Sequence, residues 1–216
     1  MNILLTAGPT YEPLDPVRFI GNRSTGKMGY ALAEAFAAAG HTVTLVSGPT
    51  ALPTPTHPAI YTVRVETAAQ MYAAAVEAAP AAHIWVFAAA VADYRPAEVA
   101  PEKIKKAGDT LTLTLVKNVD IAATLGETKR AEQFSVGFAL ETNNEQAHAL
   151  DKLRRKNFDV VVLNSLRDAG AGFGHDTNKV TLLTADGVVR TSELLPKSAV
   201  AQDIVQFVLD RYAYHA

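Results

Sequence analysis

The fold class that this sequence predicts is α/β, a doubly wound and mostly parallel sheet, and three observations predict it. Short apolar runs that fit buried parallel strands recur at residues 2–6, 41–46, 84–90, 135–140 and 159–163. Stretches with apolar residues at helical spacing separate them, as with Met28, Leu32, Phe36 and Ala39. A long linker at residues 6–29, with three prolines and four glycines, joins the first strand to the first helix. Connections of this kind usually take about 2–6 residues, so a longer one reads as a binding loop at the place where Rossmann-like sheets hold phosphates.

The elements follow in order. Ser24 or Thr25 is expected to cap the first helix, Gly40 to close it, and residues 41–46 to form the next strand. After a proline-rich loop at 48–58, residues 61–65 form a short strand and Thr67 caps a helix running to about Ala79. The wholly apolar run 84–90 predicts a central strand buried on both faces. Strict alternation at 110–115, LTLTL, predicts one arm of a β-ribbon protruding around residues 97–117. A short helix opens near Asp120, and the strand at 135–140 ends at residues 141–144, where Asn144 caps a helix bearing Lys152, Arg155 and Lys156. The last parallel strand, 159–163, ends at Asn164; Asp186-Gly187 then turns a hairpin between 181–183 and 188–190. Ser192 is expected to cap a final helix with Leu195, Val200, Ile204, Val208 and Tyr212 on one stripe. The 216 residues read as a single domain.

Composition narrows the function. With 20 Lys+Arg against 22 Asp+Glu, the net charge of −2 offers no electrostatic case for nucleic acid or an anionic membrane as partner. The absence of cysteine rules out disulfides, thiolate metal sites and a cysteine nucleophile, and fits a cytoplasmic setting. The apolar stretch at 73–92 is interrupted by Glu77, Pro80 and His83, so a soluble protein is expected. None of the six histidines shows metal-ligand spacing.

Two familiar phosphate motifs fail in the first loop. Residues 21–27 read G-x-x-x-x-G-K, but Met28 replaces the Ser or Thr that a P-loop needs for Mg²⁺. The dinucleotide fingerprint G-x-G-x-x-G is also missing, and the second strand ends at Val46-Ser47-Gly48 without the acidic residue that binds a ribose. A glycine-rich turn that merely packs a helix on a sheet is the plain alternative. Against it, polar residues gather where strands end, at Asn22, Asp93, Glu141 and Asn164, and these ends share one crevice in such a sheet. Lys103, Lys105 and Lys106 form the densest cation run; Lys152 and Lys156, four apart on one helix, could reach a common anion.

Taken together, several motifs resemble those of bacterial phosphopantothenoylcysteine synthetase: Thr6-Ala7-Gly8-Pro9-Thr10, Asn22-x-Ser24-x-Gly26-Lys27-Met28-Gly29, Ala89-Ala90-Val91-Ala92-Asp93-Tyr94-Arg95-Pro96, Lys103-Ile104-Lys105-Lys106, Gly137-Phe138-x-x-Glu141-Thr142 and Lys152-x-x-x-Lys156-Asn157. The likeness runs through nearly the whole chain, in order. It implies a homodimeric ligase of coenzyme A biosynthesis, with the ribbon as dimer contact, that joins 4′-phosphopantothenate to L-cysteine using CTP and Mg²⁺ through an acyl-cytidylate. It implies that Gly8, Ser24, Gly26, Gly29, Phe87, Ala88, Ala89, Phe138 and Asn164 line the nucleotide pocket, and that Asp93, Lys103, Asn118, Val119, Asp120, Ile121, Lys152 and Lys156 also bind CTP. Asn22, Ala89, Ala90 and Asp93 would face phosphopantothenate, with Arg18 reaching its phosphate from the neighbouring subunit. Asn22 and Lys103 would be catalytic, Asn22 as an amide donor to the acyl oxygen; no metal ligand is assigned. Val119 stands where the family often has proline, and Thr25 replaces a common serine. The resemblance also implies a flavin-dependent decarboxylase half elsewhere in many such chains, making this one a stand-alone enzyme or an excised domain. An NAD(P)-dependent oxidoreductase and a non-catalytic nucleotide-binding module are the other readings.

Overall fold

Residues 1–106, 108–141, 143–165, 170–172 and 174–215 are described by the computed structural model. Ala107 of the expected ribbon and Thr142 of the expected strand end lie outside them. The chain begins with β1 (Asn2–Ala7), buried from Ile3 onward, and a hairpin of β2 (Tyr11–Pro13) and β3 (Phe19–Gly21). Then come α1 (Lys27–Ala38), β4 (Thr42–Ser47), β5 (Ile60–Arg64) and α2 (Ala68–Ala78). β6 (Ile84–Phe87) leads to a two-stranded ribbon of β7 (Tyr94–Pro96) and β8 (Leu115–Lys117). After α3 (Ile121–Glu127), β9 (Phe134–Glu141), α4 (Glu145–Arg155) and β10 (Val160–Ser165) come β11 (Thr177–Asn178), β12 (Val180–Thr184), β13 (Gly187–Thr191), β14 (Leu195–Pro196) and α5 (Lys197–His215).

The main sheet has eight strands in the order β13-β12-β10-β9-β6-β1-β4-β5. The six from β10 to β5 are parallel, and the Asp186-Gly187 hairpin adds β12 and β13 antiparallel at one edge. This is the expected doubly wound sheet. One face is covered by α1 and α5, around Leu32, Phe36, Ile204 and Val208; the other by α2, α3 and α4, around Met71, Trp85, Leu125 and Leu153. Burying each such large side chain stabilises the fold by about 1.5–3 kcal/mol. Among the described residues, no helix is long and apolar enough to cross a membrane.

Five local expectations are corrected. β6 stops at Phe87, not at Ala90; beyond it Ala88 N–H donates to Thr6 O near the end of β1 and Ala90 N–H to Gly8 O in the loop that follows. Neither Ser24 nor Thr25 caps α1: Gly26, at φ +79°, takes that place, and Ser24 Oγ accepts from the Gly26 N–H instead. Asn144 precedes α4 with φ +44° and makes no side-chain cap. Ser192 belongs to the sheet edge, exchanging hydrogen bonds with Val180, and α5 starts five residues later, leaving Leu195 in β14 and off the helix. The ribbon is also shorter than its alternating pattern. Only Leu115–Lys117 is strand, since its partner β7 has three residues and ends at a proline.

Gly29 sits where α1 crosses β1, and a Cβ built there would lie 2.5 Å from the Ala7 Cβ. Gly29→Ala is therefore expected to destabilise the protein by about 1–3 kcal/mol, through overpacking. Urea unfolding checks it: the midpoint falls while the slope is kept.

Candidate functional site

The chain winds from β1 outward to β4 and β5, then returns across the sheet to β6 on the other side of β1. The carboxyl ends of β1 and β6 are thus the switch point of the fold, where loops diverge and leave a crevice. Beyond the strands the two loops stay laced together. Ala88 N–H donates to Thr6 O (3.1 Å), Ala90 N–H to Gly8 O (2.8 Å) and Ala92 N–H to the buried Thr10 Oγ1 (2.9 Å). The crevice opens into a cleft of about 410 Å³, within the range of small-molecule sites.

Three walls carry its polar groups. The first is the 22–29 loop, which delivers Ser24, Gly26 and Gly29 to the start of α1, whose unpaired N–H groups favour an anion. The second is 87–93, a largely apolar strip of Phe87, three alanines, Val91 and Ala92 that ends at the exposed carboxylate of Asp93. The third is the turn into α3, held in place by Asn118: its Nδ2 donates to Ala92 O (2.8 Å), and its backbone N–H to Asp93 O (2.8 Å). Asp120 caps α3 by accepting from Ala123 N–H (3.1 Å) and pairs with Lys156 at 2.8 Å. Burial alone would raise the Asp120 pKa, but the Lys156 pairing and the cap outweigh it and hold the carboxyl below its ordinary value.

Lys152 and Lys156 do meet the same pocket. Lys152 Nζ donates to Phe138 O (3.0 Å), a neutral partner. Burial, and secondarily the charge of Lys156, depresses the Lys152 pKa below that of a free lysine. A cation so placed is relieved of unfavourable burial when an anion arrives.

Most residues singled out from sequence converge here: Asn22, Ser24, Gly26, Gly29, the 87–90 strip, Asp93, residues 118–121, Phe138, Lys152, Lys156 and Asn164 all line the cleft. Val119, in the turn, is half exposed. Gly8 lies behind the wall at φ +77°, with its Cα 3.4 Å from where a Gly26 Cβ would fall. Arg18 and Lys103 do not line the cleft; both stand exposed on the segments beside the hairpin and ribbon. Asn22 carries a correction. Its Nδ2 donates to Ala90 O (2.9 Å) and Val91 O (3.2 Å), so both amide protons are engaged, and among the described residues the atom without a partner is the acceptor Oδ1.

Among the lining residues that had escaped notice are Asn178 and Lys197. Asn178, buried on β11, donates to Asn164 Oδ1 (3.3 Å) and so turns the Asn164 amide. Lys197, also buried, donates to the carbonyls of Gly172 (3.0 Å), His175 and Thr177 (3.2 Å), and burial lowers its pKa, with Lys27 adding to the effect. A lysine opening a helix opposes the macrodipole, which is the one signal in the sequence that could have marked it. Lys27 is paired with Asp176 at 2.6 Å.

The sign of the Lys152 shift gives a test. Its charged form, which an anion needs, is lost as pH rises through a value below 10.5. Inorganic triphosphate is expected to lose affinity there by calorimetry, taking up protons on binding, whereas Lys152→Met binds weakly and without that pH step. The fold responds oppositely: the unfolded chain holds that proton more tightly, so Lys152 makes stability rise with pH across the same interval.

Similarity to known proteins points the same way as this geometry. The chain is 48% identical over 207 residues to a cysteine/cysteine sulfinic acid decarboxylase of an unknown prokaryotic organism, covering 96% of this chain and 57% of that protein. It is 44% identical over 212 residues to the coenzyme A biosynthesis bifunctional protein CoaBC of Haemophilus influenzae, covering 98% of this chain and 52% of that one. It thus spans about half the length of the curated relatives it matches. The crystal structure of a CoaBC C-terminal domain superposes with a TM-score of 0.81 at 43% identity, over 96% of this chain and 93% of the other. The family described as DNA/pantothenate metabolism flavoprotein C-terminal domain matches residues 1–212, and with that match the chain belongs to this family, DFP.

Proposed function

We propose that this chain is a phosphopantothenate–cysteine ligase that uses CTP, acting as a homodimer in coenzyme A biosynthesis. The observation behind this reading is the cleft at the β1/β6 switch point. It brings a phosphate-binding loop, an apolar strip and two lysines together in a chain 44% identical to a coenzyme A biosynthesis protein. The NAD(P) alternative loses ground at the end of β4, where Ser47 is fully buried against Tyr30 and offers no carboxylate to a ribose.

A carboxylate does not condense usefully with an amine at neutral pH, so it needs a leaving group. One carboxylate oxygen of phosphopantothenate attacks the CTP α-phosphorus and diphosphate leaves. The cysteine amine then attacks the acyl carbon, forming the amide C–N bond while CMP leaves with the acyl–oxygen electron pair. The first step gathers negative charge that helix N–H groups, Lys152 and Lys156 are placed to meet. Mg²⁺, when bound, would screen the phosphates. Among the described residues, no three His, Asp or Glu groups could cage a metal, which fits a cation arriving on the triphosphate with its own waters. In the second step Asn22 Oδ1 is suited to accept a hydrogen bond from an N–H of the incoming amine and so aim its lone pair, while the proton released on amide formation passes to the departing CMP or to solvent.

Arg18 and Lys103, away from the cleft of their own chain, fit a site completed by a second copy. The surface near them supports that arrangement: Val17 and Phe19 on the hairpin, Tyr94 and Leu115 on the ribbon, and Leu111 and Leu113 in the strand-like approach are all exposed. Sedimentation at micromolar concentration should give twice 23.0 kDa; an active monomer would refute a shared site. Because the chain spans about half of the bifunctional relatives it matches, the decarboxylase half that the family resemblance implies is the partner expected in a longer chain.

Mass analysis of products from phosphopantothenate, cysteine, Mg²⁺ and each nucleoside triphosphate tests the reaction, with CTP expected to far exceed ATP in kcat/KM. In the same quenched assay, Asn22→Asp, which sets a carboxylate against the carbonyls of Ala90 and Val91 in place of the amide donor that holds Oδ1 in position, should still form acyl-cytidylate but pass it to cysteine more slowly than the wild type. Absence of the intermediate despite CTP binding would move Asn22 to the activation step.

A further inference from the structure

The β2–β3 turn and the segment beyond β7 meet at one carboxylate. The Asp15 side chain is withdrawn completely from solvent. It accepts from the N–H of Val17 (2.8 Å), Arg18 (2.9 Å) and, from the distant segment, Ile104 (3.1 Å). Arg18 Nε donates to its Oδ2 (3.0 Å), while Arg18 Nη2 reaches both that oxygen and Ile104 O (2.9 Å). A second tie, Ala100 N–H to Leu14 O (3.0 Å), holds the same two segments together. The other edge of the guanidinium is open: Arg18 Nη1 has no hydrogen bond among the described residues, and the side chain is 42% exposed. Lys103, next to Ile104, is exposed.

We propose that Asp15 is a positioning residue which clasps Arg18 and the Lys103 segment into one unit, so that a phosphomonoester bound at Arg18 orders the backbone that presents Lys103. The jobs of Arg18 and Lys103 rest on the ligase reading above, but the coupling does not require turnover to be seen. A guanidinium can pair with a carboxylate through one edge and a phosphate through another. A phosphate on the open edge restrains Arg18, and Nη2 passes that restraint to the Ile104 carbonyl. The adjacent Arg18 charge also holds the Asp15 carboxyl far below the usual range, so the clasp stays charged through all ordinary pH.

Limited trypsin digestion reads the clasp, because Lys103, Lys105 and Lys106 are themselves cleavage sites. In the wild type, 4′-phosphopantothenate should slow cleavage there, and inorganic phosphate should do so more weakly. Asp15→Asn loses the ion pair, so cleavage should quicken by roughly tenfold or more and the ligand should no longer protect. Ile104→Pro removes one amide donor in a segment without regular structure. It should abolish protection at Lys105 and Lys106 in the same way, and decides the matter if Asp15→Asn does not fold. In ligation assays, Asp15→Asn combined with Lys103→Gln should lose no more kcat than Lys103→Gln alone, whereas a merely structural role would give additive losses. Protection that is absent in the wild type, or that survives in both variants, overturns the proposal while leaving ligation untouched. Protection that depends on Asp15 in a protein without ligation activity keeps the clasp and sinks the ligase reading.

Discussion

Everything at the site depends on how closely the first turn of α1 can lie on the end of β1. Gly29 meets Ala7 with no room for a methyl group, and a Cβ on Gly48 would fall 1.7 Å from the carbonyl oxygen of Pro9. The first contact is with a methyl group that has no rotamer and the second with a backbone carbonyl, so no side-chain rearrangement can relieve them. They set the helix N-terminus beside the β1 and β6 ends, and from there the loops after both strands can be laced to each other. Widening that approach would move the anion-attracting end of α1 away from the lysines facing it.

The cations around the cleft are held in graded ways. Lys156 and Lys27 sit on carboxylates, while Lys152 and Lys197 are satisfied by carbonyl oxygens alone. A carbonyl neutralises no charge, so the two carbonyl-bound ammoniums keep their full pull on an anion and sit at a depressed pKa. Lys152 can be drawn toward a ligand at the loss of one hydrogen bond. Lys197, with three carbonyl partners, is better suited to holding its wall together.

What could be read from sequence divides along physical lines. The sheet was legible because parallel strands buried on both faces are continuous apolar runs, as in 84–87, and because Asp186-Gly187 encodes its own turn. The lining from Asn22, Asp93 and Asn164 was legible because strand ends must converge, that from Ser24, Gly26 and Gly29 because a long glycine-bearing loop enters a helix, while Phe138, Lys152 and Lys156 were marked by the family resemblance. Helix starts were legible in part: Thr67 caps α2 and Asp120 caps α3 as expected, whereas Ser24, Asn144 and Ser192 have the right chemistry for capping, yet tertiary contacts or a left-handed backbone took those positions. The donor assigned to Asn22 failed for a similar reason, as two carbonyls of the neighbouring loop claim its protons. Asn178 and Lys197 were invisible because they act through partners set by folding, and Arg18 and Lys103 sit where a single chain leaves them, outside its own cleft.

Lys197 has a bearing on how the protein comes to exist. Its ammonium gathers the carbonyls of residues 172, 175 and 177 into a ring, and α5, which it begins, packs on α1. Every other wall of the cleft is encoded upstream of it. During synthesis the β1 and β6 loops can therefore emerge and pair while this side of the cleft still gapes, and a nascent chain shorter than about residue 197 lacks a closed pocket however well its sheet has formed.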